Sequence, residues 1–271
     1  MKLKFLLIIF IGLTPILRAQ QGLIVSKAMV VSAREEASQI GVDIMKKGGN
    51  AFDAMVATEL ALAVAYPYAG NIAGGGFMVY RLNNGETGAL DYREKAPLLA
   101  SKNMYLDKNK EVIPNLSVNG ALAVGVPGTI AGIFAVHQKF GKLSMQEIMQ
   151  PVIALAKKGI IVTAKQLKQI QTNQQDIIAV SGNQTLYAKP YKIGDTIKYP
   201  ALANTLERIL KNGKDEFYKG ETAQKLVAFL QQKGGIISLD DLSKYEAVWR
   251  KPISFKYKDL KIISMSPPSS G

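Results

Sequence analysis

The stretch Asn50–Tyr92, NAFDAMVATELALAVAYPYAGNIAGGGFMVYRLNNGETGALDY, decides how this 271-residue chain is built. Asn50 carries a side-chain oxygen suited to cap the helix that AFDAMVATELALAVAY predicts, and Pro67 ends it. The apolar residues of that helix fall nearly all round its axis, so it is expected to be buried on most sides. Gly74, Gly75 and Gly76 then lead into a strand at about residues 77–82. Asn83, Asn84 and Gly85 supply a hairpin turn, and a second strand runs to about residue 92. A buried helix followed by a hairpin predicts a helix layer with a sheet beside it.

Working outward, Ala33, Ala37, Ile40, Gly41, Ile44 and Met45 recur at helical spacing with charges between them. They predict an amphipathic helix over roughly 33–47, stopped by Gly48 and Gly49. From about residue 127 the pattern is mainly helical. GVPGTIAGIFAVHQKFG begins with proline and ends with glycine. SMQEIMQPVIALAKKG opens with Ser144 and Glu147 at capping-box spacing, and Pro151 is expected to bend it. TAKQLKQIQTNQQDIIAV, ALANTLERILKNG and ETAQKLVAFLQQKGG predict three more helices, and VWRKPISFKYKDLKIISM returns to strand-like alternation. With no repeat, low-complexity stretch or clear linker, the reading is one domain over residues 20–271, of α/β (α+β) class.

The first residues stand apart. Lys2 and Lys4 precede an apolar run from Phe5 to Leu17, and Ala19 precedes two glutamines, which is the pattern of a secretory signal cleaved after residue 19. The run is shorter than the roughly 18–20 residues of a membrane span and is broken by Gly12 and Pro15. No cysteine follows it to carry a lipid anchor, and the chain has none for disulfides or thiol chemistry. The expected location is periplasmic or secreted, with no stable membrane anchor. The net charge of +13 is spread singly or in pairs, which reads as a solvated basic surface and not a nucleic-acid patch.

Most catalytic constellations are missing. The chain has no HExxH, GxxxxGK[ST] or GxSxG motif and a single histidine, His137, read as a helix-end surface residue. The Gly74–Gly76 run could cradle an anion with backbone amides or let two backbones pack closely. Arg93, in LDYREKAP at 90–97, stands where a strand ends beside a loop. A guanidinium there suits a planar carboxylate gripped by two parallel hydrogen bonds; an internal ion pair with Glu94, Asp91 or another acid is equally open on chemistry alone.

Six segments occur in one order: GGNAFDAMVA at 48–57, GGGF at 74–77, DYREKAP at 91–97, GVPGT at 125–129, FYKG at 217–220 and SPPSSG at 266–271. Together they resemble the large-subunit portion of a γ-glutamyltransferase (γ-glutamyltranspeptidase, glutathione hydrolase), from about Val25 onward. The resemblance implies an N-terminal-nucleophile hydrolase, an αββα sandwich that is incomplete in this chain. It implies a precursor that cuts itself to free a threonine at the start of a small subunit. That threonine attacks the γ-carbonyl of γ-glutamyl amides such as glutathione, and the acyl group passes to water or to an amino-acid or dipeptide acceptor. No metal or organic cofactor and no nucleic acid is implied. The nucleophile is expected beyond these residues, so they contain no catalytic residue and are expected to be inactive alone. Arg93 matches the family arginine that binds the substrate α-carboxylate, while Ser269 and Ser270 are read as structural. Related acylases, poly-γ-glutamate hydrolases and a secreted binding protein that lost catalysis are the alternatives; the intact DYREKAP favours a glutamyl group over a glutaryl one.

Overall fold

The structure, a computed structural model, describes residues 22–269. The expected signal segment 1–19 and Ser270 lie outside the described residues. The amphipathic stretch forms α1 (Glu35–Lys46) and the apolar one α2 (Ala51–Ala65), followed by the hairpin β1 (Phe77–Arg81) and β2 (Thr87–Asp91). Then come α3 (Thr129–Phe140), α4 (Met145–Lys158), β3 (Ile160–Ile161), α5 (Ala164–Ser181), β4 (Thr196–Ile197) and α6 (Pro200–Asn212). The chain continues through α7 (Lys214–Tyr218), α8 (Glu221–Gln232), α9 (Leu239–Ser243), β5 (Val248–Arg250), β6 (Ile253–Tyr257) and β7 (Leu260–Ser264). Pro151 lies inside α4 and does not end it. Helices α7 and α9 carry no readable periodicity because each is only five residues long.

The sheet nearest the core has the order β1-β2-β5, antiparallel throughout, with Met78 opposite Leu90 and Leu90 opposite Trp249. Strand alternation sends Met78, Tyr80 and Leu90 into the core. The other face carries Val79 and Val248, both exposed. One helix layer therefore lies against one sheet face, and among the described residues no second layer covers the face that carries Val79 and Val248. Strands β6 and β7 form a separate two-stranded hairpin, exposed along the whole of β6. No helix among the described residues is long and apolar enough to cross a membrane.

The core is continuous through α2, α3, α4 and α6, with Leu60, Ile130, Ile133, Ile148 and Leu206 almost wholly buried. Its anchor is the start of α2. Asn50 accepts hydrogen bonds from the Phe52 and Asp53 amides at 2.8 and 3.0 Å, and Asp53 accepts one from the Asn50 amide at 2.9 Å. Asp53 is fully buried and also accepts from the Lys142 amide at 3.0 Å, in the α3–α4 connection. Asn50 Nδ2 donates to the Phe140 carbonyl at 2.6 Å. One carboxylate and one carboxamide thus satisfy orphan groups at two helix junctions. Asp53→Ala strands those buried amides and is expected to lower stability by roughly 2–4 kcal/mol, read by urea unfolding. A loss below about 0.5 kcal/mol, the range of an ordinary surface change, would remove this anchor from the account.

Candidate substrate groove at the end of strand β2

The site is set by glycines. Beyond Asp91, Tyr92 still pairs with Gly76, its amide donating to the Gly76 carbonyl at 3.0 Å. A Cβ on Gly75 would stand 2.7 Å from the Arg93 Cα, the Glu94 nitrogen and the Tyr92 oxygen. Gly74 turns its carbonyl to the start of α3, accepting from the Gly128 and Thr129 amides at 2.7 and 3.0 Å. A Cβ on Gly128 would collide with the Tyr92 carbonyl. Of the two readings of the glycine run, close packing of backbones is the one the structure carries.

The strand end is pinned from its other side as well. Tyr245 Oη donates to the Arg93 carbonyl at 2.7 Å, and Lys95 and Val126 exchange backbone hydrogen bonds. Lys95 Nζ donates to the Glu246 carbonyl at 3.0 Å and lies over the Tyr245 ring. Alternation then separates two neighbours: the Tyr92 ring goes into the core, while Arg93 is exposed on the outer sheet face, its guanidinium 5.8 Å from the Phe77 ring centre.

Arg93 is not paired with Asp91. Asp91 Oδ2 receives a two-pronged contact from Arg250 at 2.7 and 2.8 Å, and Oδ1 accepts the Arg93 backbone amide at 3.2 Å. Among the described residues no carboxylate forms a salt bridge with the Arg93 side chain; Nη1 donates to the Pro268 carbonyl at 3.2 Å. A guanidinium has five N–H donors, so most remain for a ligand. They face an open groove of about 480 Å3 lined by Gly75, Gly76, Phe77, Glu94, Pro268 and Ser269. This arrangement can hold a planar anion against an aromatic face. Ser269, read as structural, does line the groove, and its amide donates to the Ser266 carbonyl at 3.2 Å. His137 is half-buried at the end of α3 with Nε2 2.8 Å from the Leu143 carbonyl, a structural position.

Behind the glycine run lies a second cavity, about 640 Å3, and here sequence reading missed a residue. Glu59 lines it and accepts a 3.0 Å hydrogen bond from Tyr92 Oη. Burial pushes its carboxyl up from the usual range to about 7, against the opposing effect of that hydrogen bond. Burial also raises the Tyr92 phenol. The available signal was an acid in the apolar body of α2, beyond the first turn where Asp53 serves the cap.

The Gamma-glutamyltranspeptidase family profile matches residues 37–271. A glutathione hydrolase proenzyme of Pseudomonas sp. (strain A14) is 44% identical over 90% of this chain, and one of Escherichia coli (strain K12) is 42% identical over 94%. The chain spans 43% of the length of each of these relatives. The crystal structure of Helicobacter pylori gamma-glutamyltranspeptidase superposes with a TM-score of 0.89 at 42% identity, over 92% of this chain and 73% of that one. Mixed helices and sheet of this arrangement are those of an N-terminal-nucleophile hydrolase. Within that class the chain belongs to the γ-glutamyltranspeptidase family.

The raised carboxyl generates a prediction. A folded-state value above the unfolded one favours the protonated form, so the stability linked to Glu59 is fully present below the ordinary 4.5 and is lost as pH rises through about 7. Glu59→Gln should remove that loss: between about pH 5 and pH 8 wild type should fall relative to the variant by on the order of 2 kcal/mol in urea unfolding. Parallel pH profiles would show that the carboxylate is well solvated.

Proposed function

We propose that the chain is the large-subunit portion, residues 20–271, of a γ-glutamyltransferase (glutathione hydrolase) precursor exported to the periplasm or beyond the cell. The carrying observation is Arg93: an exposed guanidinium on a rigid strand end, with Asp91 already committed to Arg250. In this reading the groove holds the α-carboxylate of a γ-glutamyl group, as in glutathione and its conjugates. Clamping the amino-acid end presents the side-chain carbonyl, and not the α-carbonyl, to the nucleophile.

The nucleophile is the threonine freed by self-cleavage at the start of the small subunit from the same precursor, with its α-amine as base. Its hydroxyl attacks the γ-carbonyl and expels the amine, leaving a γ-glutamyl ester. Water then releases glutamate, or an amino-acid or dipeptide acceptor takes the acyl group. What the described residues contribute is orientation; alone they are expected to have no turnover.

The test is initial-rate hydrolysis of a γ-glutamyl anilide and its α-linked isomer by the full-length protein. Strong preference for the γ-linked compound is expected. Turnover of neither by folded protein would favour a binding protein or an acylase with another acyl group. Arg93→Ala should raise KM about 10- to 100-fold, from losing one or two charge-assisted hydrogen bonds, with self-cleavage intact. Arg93→Lys should also be impaired, because an ammonium cannot reproduce the two-pronged contact. Unchanged KM in both variants would take the carboxylate away from Arg93.

A further inference from the structure

Asp91 stands two residues before Arg93, so strand alternation puts both side chains on the outer face of the sheet. The carboxylate already reaches the root of its neighbour, Oδ1 accepting the Arg93 backbone amide at 3.2 Å. A turn of the Arg93 side chain about its own bonds would close an ion pair between the two. That pair would take up the N–H donors that the groove offers to a substrate carboxylate.

What stands in the way comes from β5. The residues directly opposite Asp91, Phe77 on β1 and Val248 on β5, are both apolar. Arg250 is paired with Ala89 and reaches Asp91 along the diagonal, a span that long side chains cover between neighbouring strands. Its Nε and Nη2 both approach Asp91 Oδ2, at 2.8 and 2.7 Å. Among the described residues this is the only salt bridge of either side chain. The Asp91 side chain is 8% exposed, and a carboxylate so enclosed is strongly destabilised when its cation is removed, until it finds another. Arg93, its amide already on Oδ1, is the replacement nearest in the chain. No residue of β5 lines the groove, so Arg250 has no contact of its own to offer a ligand there.

We infer that Arg250 is a positioning residue for substrate recognition: by occupying Asp91 it keeps the Arg93 guanidinium open. Asp91 and the substrate carboxylate contend for one guanidinium, and Arg250 decides between them. This rests on the reading of Arg93 as the ligand of the α-carboxylate.

The experiment is initial-rate kinetics of the full-length, self-cleaved protein on a γ-glutamyl anilide. Arg250→Met should raise KM about 5- to 30-fold, less than removal of Arg93 itself, with kcat within about twofold of wild type. Asp91→Asn combined with Arg250→Met removes the competitor together with its keeper, and should return KM to within about threefold of wild type. A residue that only braced the sheet would not be rescued by loss of its partner. The rise in the single variant should persist at about 0.5 M salt, where repulsion from a more distant charge is screened. If Arg250→Met does not fold, Arg250→Lys, which keeps the charge on one prong, should raise KM several-fold, and Asp91→Asn should again reverse it. Wild-type KM in the Arg250 variant, a loss confined to kcat, no rescue by Asp91→Asn, or a rise that vanishes in salt overturns the inference. Unchanged KM in Arg93→Ala removes the carboxylate reading and this inference with it. Raised KM in Arg93→Ala beside wild-type KM in the Arg250 variant removes this inference alone.

Discussion

The contact on which the site depends is between two backbones, with no side chain intervening. Gly75 lies against the chain from Tyr92 to Glu94, and Gly128 closes on the Tyr92 carbonyl from the start of α3. At such distances a methyl group is already too large, so any side chain would lever β2 away from the helix that supports it. The direction of Arg93 is a by-product of this closeness. Because a strand alternates, burying Tyr92 obliges Arg93 to face outward over Phe77, and the Tyr245 hydroxyl on the Arg93 carbonyl holds the peptide there. The guanidinium is mobile only about its own side-chain bonds, while its root is fixed from three sides.

The same alternation separates two ionisable groups that would otherwise compete. Tyr92 meets Glu59 inside, where burial favours the neutral acid, and Arg93 meets solvent outside, where its charge is hydrated. Asp91, one alternation earlier on the outer face, is engaged by Arg250 of β5 and so cannot turn to Arg93. The open state of the groove therefore depends on a strand contributed more than 150 residues later.

That long reach explains which features could be read in advance. Asn50, Ser144 and the Asn83–Gly85 turn act on their immediate neighbours, and the helices and hairpin they mark lie within a few residues of the expected bounds. Arg93 was legible through motif order, whereas its freedom from Asp91 was not, because Arg250 is remote in sequence and nothing local marks the pair. Asp53 looks like any N3 acid in a helix, and its second duty to the Lys142 amide exists only in three dimensions. Short α7 and α9 escape periodicity altogether.

The β6–β7 hairpin has a colloidal consequence. Phe255, Tyr257 and Leu260 are exposed on a two-stranded ribbon that pairs with no other strand among the described residues. Unpaired edges bearing aromatic and branched side chains recruit further strands, so these residues expressed by themselves would tend to self-associate. The ribbon also carries Lys256, Lys258 and Lys261, and the whole chain is strongly basic. Mutual repulsion of like charges opposes stacking at low ionic strength and is screened as salt rises. Purification of the isolated segment would therefore be salt-sensitive in the unusual direction, clear in dilute buffer and turbid in concentrated salt.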